Sequence, residues 1–370
     1  MEPSSSQRSS GPRLRDVLRD DLHQGDYLST LRRDLKDIEA YYLSDAQKER
    51  LAALGKRHRV KRWIWTAWWV LKEMVVRLSP VRRLLVVAAV VLIFLSESDS
   101  SGGGADGRVI LALLILLFVI ILEVKDKLLM RDELEAGRKV QRALMPEATP
   151  AVYGWDVWLS SRPANEVGGD LVDILRISQD RVAVSIADIA GKGLQAALLM
   201  VKLQASIRAL ASEDTSISDL VAHINEIFRR DSPVSMFASL LTLEVRPGSG
   251  GLRFVNAGHL PPYHLKESGI DELAKGEPAL GLAKGTHYTE HVLELQPGEV
   301  FVAISDGVVE ARRENGEFYG AERFRQLLTS LRRLSAQQMA QEIIGEIDRF
   351  VGSTASGDDL SLVILKRVES

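Results

Sequence analysis

Hydrophobic positions recur at helical spacing through the first part of the chain, before the pattern changes twice. Leucines and isoleucines repeat every three or four residues between residues 13 and 56, which predicts amphipathic helices. The preceding segment, residues 1–12, is small and polar and is predicted to be a disordered tail. We therefore expect residues 13–80 to form a helical region on the cytoplasmic side.

The end of that region, residues 56–80, places basic residues beside four tryptophans. They are Trp63, Trp65, Trp68 and Trp69. Basic residues next to tryptophan are typical of a helix that lies at a membrane interface. The alternative is a tryptophan-rich core helix of a soluble protein.

Two apolar runs follow, Leu84–Leu95 and Val109–Leu122, separated by a loop rich in Ser and Gly. Uncharged runs this short are as often buried core helices as membrane spans. Both runs are almost purely aliphatic, and basic residues flank them on the outside while the loop is mainly acidic. The pattern favours a membrane hairpin over residues 81–124 rather than a soluble helical hairpin. It predicts a multi-pass inner-membrane protein, embedded in the lipid bilayer, with both ends in the cytoplasm.

Residues 123–149 are strongly charged, with leucines at intervals, and are predicted to continue the second span as a linker helix. This helix could pair with a second copy and give a homodimer, or it could be a solvated linker. Pro146 and Pro150 mark its end.

Residues 150–370 alternate short β-rich runs with turns, interrupted by pairs of helices. Helices are predicted at Leu194–Leu210, Ile217–Arg230, Ala321–Leu331 and Ala336–Phe350. Because the strands mostly form sequential hairpins, we expect an α+β fold. It would have two antiparallel sheets with helices outside rather than a doubly wound parallel sheet.

Composition narrows the chemistry of this C-terminal region. The net charge is -3, which gives no overall nucleic-acid footprint, so no nucleic-acid partner is expected. There are no cysteines, which excludes disulfides and a thiol nucleophile. The 7 histidines form no pair with zinc-site spacing. Any bound metal should be a hard ion held by oxygen atoms.

Aspartates stand where several of the predicted strands meet a turn. They are Asp170, Asp188, Asp306, Asp358 and Asp359. Each alone could be a turn or capping residue. Brought together they would repel one another unless a cation neutralised them, so the set favours a Mg²⁺ or Mn²⁺ site. Glycines 191 and 193 would let the carbonyl of Ile189 join it. Two such ions could activate a water for attack on phosphorus.

Five ordered motifs carry a resemblance to a known family. They are GGDLVDIL, IADIAGKGLQAALLM, FVNAGHLPPYHL, LQPGEVFVAISDGVVEARRENGEFYG and GDDLSLVIL. In this order they resemble the PPM-type (protein phosphatase 2C) superfamily in its bacterial SpoIIE-like branch, over residues 134–367. The resemblance implies an αββα sandwich and a Mn²⁺- or Mg²⁺-dependent protein serine/threonine phosphatase. Its substrates would be phosphorylated proteins such as anti-sigma-factor antagonists.

The same resemblance implies individual roles at the site. Asp188 would bridge two ions and Ile189 would give its carbonyl. Asp306 and Asp358 would be direct ligands, and Asp170 a direct or water-mediated one. Asp359 occupies a less constant position of the motif and ranks lower. The alternative function is a non-catalytic, phosphatase-like sensor module, although the complete set of carboxylates favours catalysis.

Two other residues of these motifs allow either a functional or a structural interpretation. Lys192 could attract phosphate but is more simply explained as a solvated turn residue. His259 could orient the edge of the site or serve a structural turn.

Overall fold

The structure, a computed structural model, describes residues 59–96, 107–352 and 357–369. The predicted tail, the helices expected before residue 59 and most of the loop between the apolar runs lie outside these residues. The chain divides into two compact units, residues 1–127 and 128–370. Each unit is described by itself below.

The first unit contains helices α1 (Arg59–Arg77) and α2 (Pro80–Ser96), and the start of α3 (Gly107–Leu144). Helices α2 and α3 pack antiparallel. Arg108 donates to the carbonyl of Leu95 at one end (3.0 Å), and Arg82 contacts Glu123 at the other (2.7 Å). Ala89 and Ala112 are fully buried in this unit.

Helix α3 is long and apolar enough to cross a membrane, by length and composition, and is the one such helix in the described part of the chain. Its most apolar stretch has a mean hydropathy of 2.8 and is only 11% buried. This differs from the core helix of a soluble protein, which would be mostly buried. Helix α2 has 17 residues, at the lower limit for spanning.

The second unit is a sandwich of two five-stranded antiparallel sheets. The first sheet consists, in spatial order, of β1 (Trp155–Arg162), β10 (Leu360–Arg367), β9 (Val300–Ile304), β6 (Tyr263–Lys266) and β7 (Gly269–Glu272). The second consists of β2 (Leu171–Arg176), β3 (Val182–Ile189), β4 (Ala238–Val245), β5 (Gly251–Ala257) and β8 (His291–Glu294). The predicted α+β class is confirmed.

Helices cover the outer face of each sheet. The second sheet packs on α4 (Leu194–Leu210) and α5 (Ile217–Asp231). After the short helix α6 (Asp306–Val309), α7 (Ala321–Leu331) and α8 (Ala336–Val351) cover the first sheet. A third apolar cluster fills the space between the sheets, with Phe254 and Phe301 at 5.8 Å between ring centroids. The result is the αββα sandwich.

The sequence places these helices within one residue of their observed ends. Helices α4 and α7 have the predicted bounds, and α5 and α8 each extend one residue further. Strand β7 was not predicted, because its GIDE sequence is polar and mostly exposed at a sheet edge. Helix α3 ends at Leu144, two residues before Pro146.

Candidate active site

Three chain segments meet at one edge of the sandwich and form a pocket of about 380 Å³. Strand β3 brings Asp188 and Ile189, the end of β9 leads into Asp306, and Asp358 lies two residues before β10. The pocket is also lined by Ala190, Gly191, Lys192, Phe237, Ser239, Gly258, His259 and Leu260. Four of the five residues predicted to hold metal therefore share this pocket.

The turn after β3, which contains Gly191 and Lys192, forms one wall of the pocket. Gly191 and Gly193 have φ of 107° and 75°, a region that other residues rarely adopt. The chain can therefore leave the strand at Ile189 and enter helix α4 at Leu194 within four residues. That sharp turn keeps Asp188 close in sequence to the first residue of helix α4.

Burial and mutual repulsion disfavour the ionised forms of Asp188 and Asp306. Burial is the largest cause, and with the negative charges of Asp306 and Asp358 it raises the pKa of Asp188 to about 7. Burial, and then the charge of Asp358, raises the pKa of Asp306 as well. Carboxylates held in this way gain most from a positive charge placed among them.

Lys192 already supplies one positive charge at the rim. Its Nζ lies 3.0 Å from a carboxylate oxygen of Asp358 and 2.6 Å from the carbonyl oxygen of Gly357. The side chain is 56% exposed, so it is a solvated turn residue, as the sequence suggests. It is also an ion-pair partner within the pocket, which the sequence did not reveal because the two residues are far apart in the chain.

Asp170 lies behind the pocket rather than in its lining. It is almost completely buried, and its Oδ2 accepts a hydrogen bond from Ser361 (2.6 Å). Burial, followed by the charge of Asp188, raises the pKa of Asp170 well above its usual range. Asp170 therefore interacts electrostatically with Asp188 from the inner side.

A serine pair joins the two strands that carry the other carboxylates. The Oγ of Ser305 donates to the carbonyl of Asp359 (3.1 Å) and accepts from the backbone N–H of Ser361 (2.9 Å). Both serines are fully buried. At Gly307, a Cβ atom would collide with the same Asp359 carbonyl. These contacts fix the positions of Asp306 and Asp358 relative to each other.

The carboxylate of Asp359 organises the loop that carries Asp170. It accepts backbone hydrogen bonds from Ala164 (2.7 Å), Gly169 (2.7 Å) and Asp170 (3.3 Å). The side chain is 8% exposed and does not line the pocket. The sequence singled out this residue only as a weaker ligand. The resemblance correctly ranked Asp358 above Asp359 for the pocket, but no sequence signal indicated that Asp359 holds the backbone of the neighbouring loop.

The last turns of α3 hold the same loop from the other side. The Gln141 side-chain amide donates to the carbonyl of Gly168 (2.8 Å) and accepts from its N–H (3.1 Å). Gln141 is 4% exposed, and Gly137 packs one turn earlier against Val167. Sequence reasoning missed Gln141, because a glutamine on a charged helix gives no sign of a buried partner.

His259 forms part of the pocket wall as a neutral ring. Burial lowers its pKa to about 4, although the Ile304 carbonyl opposes that shift. Its Nδ1 lies 2.9 Å from the Ser239 hydroxyl, while the side chain of Asn256 bonds to both the N–H and the carbonyl of His259. The Asn256 contacts close the turn, so they favour the structural interpretation of this motif.

The pocket offers a donor set of the kind that a hard divalent cation prefers. Its carboxylates and the nearby carbonyls are all oxygen donors, and the Lys192 ammonium already occupies a cation's place beside Asp358. In the described part of the chain, however, no three acidic or histidine side chains stand close enough to hold an ion as they are. The residues that would hold a cation here are Asp188, Asp306 and Asp358, with the carbonyl of Ile189 beside them.

The raised pKa of Asp188 has a consequence for stability. The unfolded residue loses its proton near pH 4, whereas the folded one keeps it to about pH 7, so stability should fall as pH rises between these values. Without divalent metal, Asp188→Asn should raise the free energy of opening of the sandwich at pH 8 by roughly 1–3 kcal/mol, measured by amide hydrogen exchange. The exposed Asp180→Asn is the control and should have no effect. Equal wild-type stability at pH 5 and pH 8 would contradict this account.

Comparison with known proteins places the chain in a family. Residues 178–368, just over half of the chain, match the family described as Stage II sporulation protein E (SpoIIE). Protein IcfG of Synechocystis sp. is 30% identical over 281 residues, which cover 67% of this chain and 43% of IcfG. Phosphoserine phosphatase RsbU of Bacillus subtilis is 25% identical over 240 residues, 64% of this chain and 71% of RsbU. The chain thus spans less than half of the length of IcfG.

Solved structures show the same fold at low sequence identity. The SiaA-PP2C domain of Pseudomonas aeruginosa has a TM-score of 0.56 at 20% identity, covering 65% of this chain and 98% of that domain. The RsbU and RsbW domains of a Mycobacterium tuberculosis protein give 0.54 at 22% identity, covering 61% and 63%. The resemblance drawn from the five motifs is confirmed. The chain belongs to the SpoIIE family, and its second unit has the PP2C fold.

Proposed function

We propose that this chain is a metal-dependent protein phosphatase that hydrolyses phosphoserine or phosphothreonine on another protein. The observation that carries the proposal is the convergence of Asp188, Asp306 and Asp358 in one pocket of a SpoIIE-family domain. Its relatives RsbU and RsbP are named phosphoserine phosphatases, which supports the same reaction class.

The proposed ligands are the carboxylates of Asp188, Asp306 and Asp358 and the Ile189 carbonyl, with Asp170 acting directly or through water. Two Mn²⁺ or Mg²⁺ ions held by these oxygens would acidify a water and neutralise the phosphoryl oxygens. The chain's own part is to assemble the carboxylates. Ser361 orients Asp170, and the buried serine pair sets the spacing between Asp306 and Asp358.

Lys192 and the pocket wall have further parts in the proposed reaction. The Lys192 ammonium, 56% exposed beside Asp358, would attract the substrate phosphate. Phe237 and Leu260 line the pocket and provide its apolar wall. His259, held neutral by burial, would contribute no charge to the substrate.

The substrate is a phosphorylated protein, and we infer an anti-sigma-factor antagonist from the resemblance to the SpoIIE-like branch. A non-catalytic binding module is the second candidate. What favours it is the absence of a ready-made metal cluster in the described residues and the Lys192 contact with Asp358. The two candidates differ in one measurable property, hydrolysis.

Asp188→Asn should abolish metal-dependent hydrolysis. We expect the wild-type chain to hydrolyse p-nitrophenyl phosphate and serine-phosphorylated casein with added Mn²⁺, and the variant to lose roughly 100-fold or more in kcat. The exposed Asp180→Asn should retain wild-type kcat. A wild-type chain that binds phosphoprotein but shows no hydrolysis with Mn²⁺ or Mg²⁺ would favour the binding module instead.

We further propose that α2 and the first part of α3 form a membrane hairpin that anchors the protein in the inner membrane. Buried Ala89 and Ala112 allow close helix packing, whereas the large apolar side chains point outward, as for Leu84 (70% exposed) and Phe94 (68%). Arg82 pairs with Glu123 and Asp126, so the charged ends of both helices lie on the same side. By the distribution of basic residues that side is cytoplasmic.

If the hairpin anchors the protein, a carbonate wash should not extract it from membranes. The wild-type chain should stay in the pellet after a carbonate wash of cell membranes. Leu114→Asp, in the middle of the apolar run of α3, should move a substantial fraction to the supernatant, since an acidic residue there costs roughly 3 kcal/mol. Leu129→Asp is the matched control on the same helix, beyond the run. Wild type in the supernatant would refute the anchor.

Finally, we propose that α3 regulates assembly of the metal site and that it can pair with a second copy. The Gln141 contact with Gly168 supports the regulatory part, because the Gly168 loop carries Asp170. A change in the helix at Gln141 would therefore change the position of a proposed ligand. The proposal that α3 pairs with a second copy rests only on the sequence of this helix, which is strongly charged with leucines at intervals.

Gln141→Ala tests this link. Losing both hydrogen bonds should loosen residues 163–170 and raise several-fold the Mn²⁺ concentration needed for half-maximal phosphatase activity. Amide hydrogen exchange of this loop should be faster in the variant. Val140→Ala, 60% exposed on the same helix, is the control. An unchanged Mn²⁺ requirement would show that the helix does not act on the site.

A further inference from the structure

A second cavity, of about 300 Å³, lies between helix α3 and the loop before β2. It is separate from the active-site pocket and shares no lining residue with it. Its lining consists of Arg131, Glu135, Arg138, Lys139, Arg142 and Glu166. Residues 131, 135, 138 and 142 are spaced by three or four positions, so they follow one face of the helix. We call this the arginine cavity.

The charges of the arginine cavity are unevenly paired. Lys139 forms an ion pair with Glu135 (3.3 Å). In contrast, the side chains of Arg131, Arg138 and Arg142 make no hydrogen bond or ion pair with any described residue. Four cationic and two acidic side chains leave an excess of two positive charges.

Arg138 shows that this is more than an exposed basic surface. Its side chain is partly buried, and its Nε–H is shielded from solvent yet has no acceptor within the described chain. A buried guanidinium donor without a partner is costly, because it has lost water and gained nothing in return. The cost would be removed by an acceptor that enters the cavity from outside.

The chemistry of the missing acceptor follows from the residues. Guanidinium groups offer paired N–H donors that match the oxygens of phosphate better than a single ammonium does. A dianionic phosphate group would also balance the two excess charges. We propose that the arginine cavity binds a phosphate-class anion, either a free phosphate compound or the headgroup of an anionic phospholipid.

The position of the cavity gives the ligand a consequence. Gln141 lies between cavity residues Lys139 and Arg142 in the helix, and Glu166 is two residues from Gly168, its partner. An anion held by the arginines would therefore sit beside the contact between α3 and the loop of Asp170. This proposal concerns the cavity alone and does not require that the active-site pocket catalyse hydrolysis.

The test uses the 370-residue chain with EDTA present, so that no divalent metal can hold phosphate in the active-site pocket. Binding of inorganic phosphate and pyrophosphate is measured by calorimetry in neutral detergent. In parallel, hydrogen exchange of residues 131–142 is compared in bilayer discs of phosphatidylglycerol and of phosphatidylcholine. We expect Arg138→Gln to weaken phosphate-class binding at least 10-fold and Arg138→Lys to weaken it less. Lys127→Gln, which removes a charge from the same helix outside the cavity, should bind like wild type.

The outcomes separate the two sources of the anion. Arg138-dependent binding of soluble phosphate or pyrophosphate supports a free ligand. Arg138-dependent protection in phosphatidylglycerol discs alone supports a lipid headgroup. Equal behaviour of wild type and Arg138→Gln in both arms overturns the proposal. It is also overturned if the wild-type chain is a dimer that Arg138→Gln dissociates in the absence of any anion, since a second copy would then be the acceptor. Circular dichroism of each variant confirms that it is folded.

Discussion

Repulsion among carboxylates brought to one edge of the sandwich is the constraint on which the site depends. Strands β3, β9 and β10 are almost entirely buried, and they bring Asp188 and Asp306 into surroundings that disfavour their ionised forms, with Asp358 beside them at the rim. The apolar packing under the two helical layers and between the two sheets stabilises the fold against the free-energy cost of bringing these carboxylates together. A positive ion placed among these carboxylates would be attracted to all of them, and their oxygen atoms are the ligands that hard metal ions prefer.

The architecture was predictable because the apolar residues of the sequence mark the buried strands and the buried faces of the helices. Apolar runs such as VFVAI predict strands covered on both faces, and the helix α4 pattern gives its bounds correctly. The edge strand β7 was missed, since a polar four-residue strand depends on its neighbour for hydrogen bonds rather than on a hydrophobic pattern. The family was recognisable from five motifs and their order along the chain. These motifs do not show which side chains touch one another.

Contacts between distant segments set the limit of what could be predicted at the site. The convergence of carboxylates follows from strand ends, but the Gln141–Gly168 and Lys192–Asp358 contacts join residues 27 and 166 positions apart. The hydroxyl of Ser305 bonds to Asp359 and Ser361, and no sequence pattern indicates these contacts. Such roles depend on which side chain faces which neighbour, and neither composition nor periodicity contains that information.

The neighbouring aspartates just before β10 show how strongly this facing matters. One carboxylate opens to the pocket, and the next turns inward to three backbone amides. Asp358 lies in a bend and Asp359 directly before β10, so inserting or deleting a single residue between Asp358 and Leu360 would shift the pocket carboxylate relative to the strand. Evolutionary changes in the length of this connection should therefore fall before Asp358, where they leave the spacing between both carboxylates and β10 unchanged.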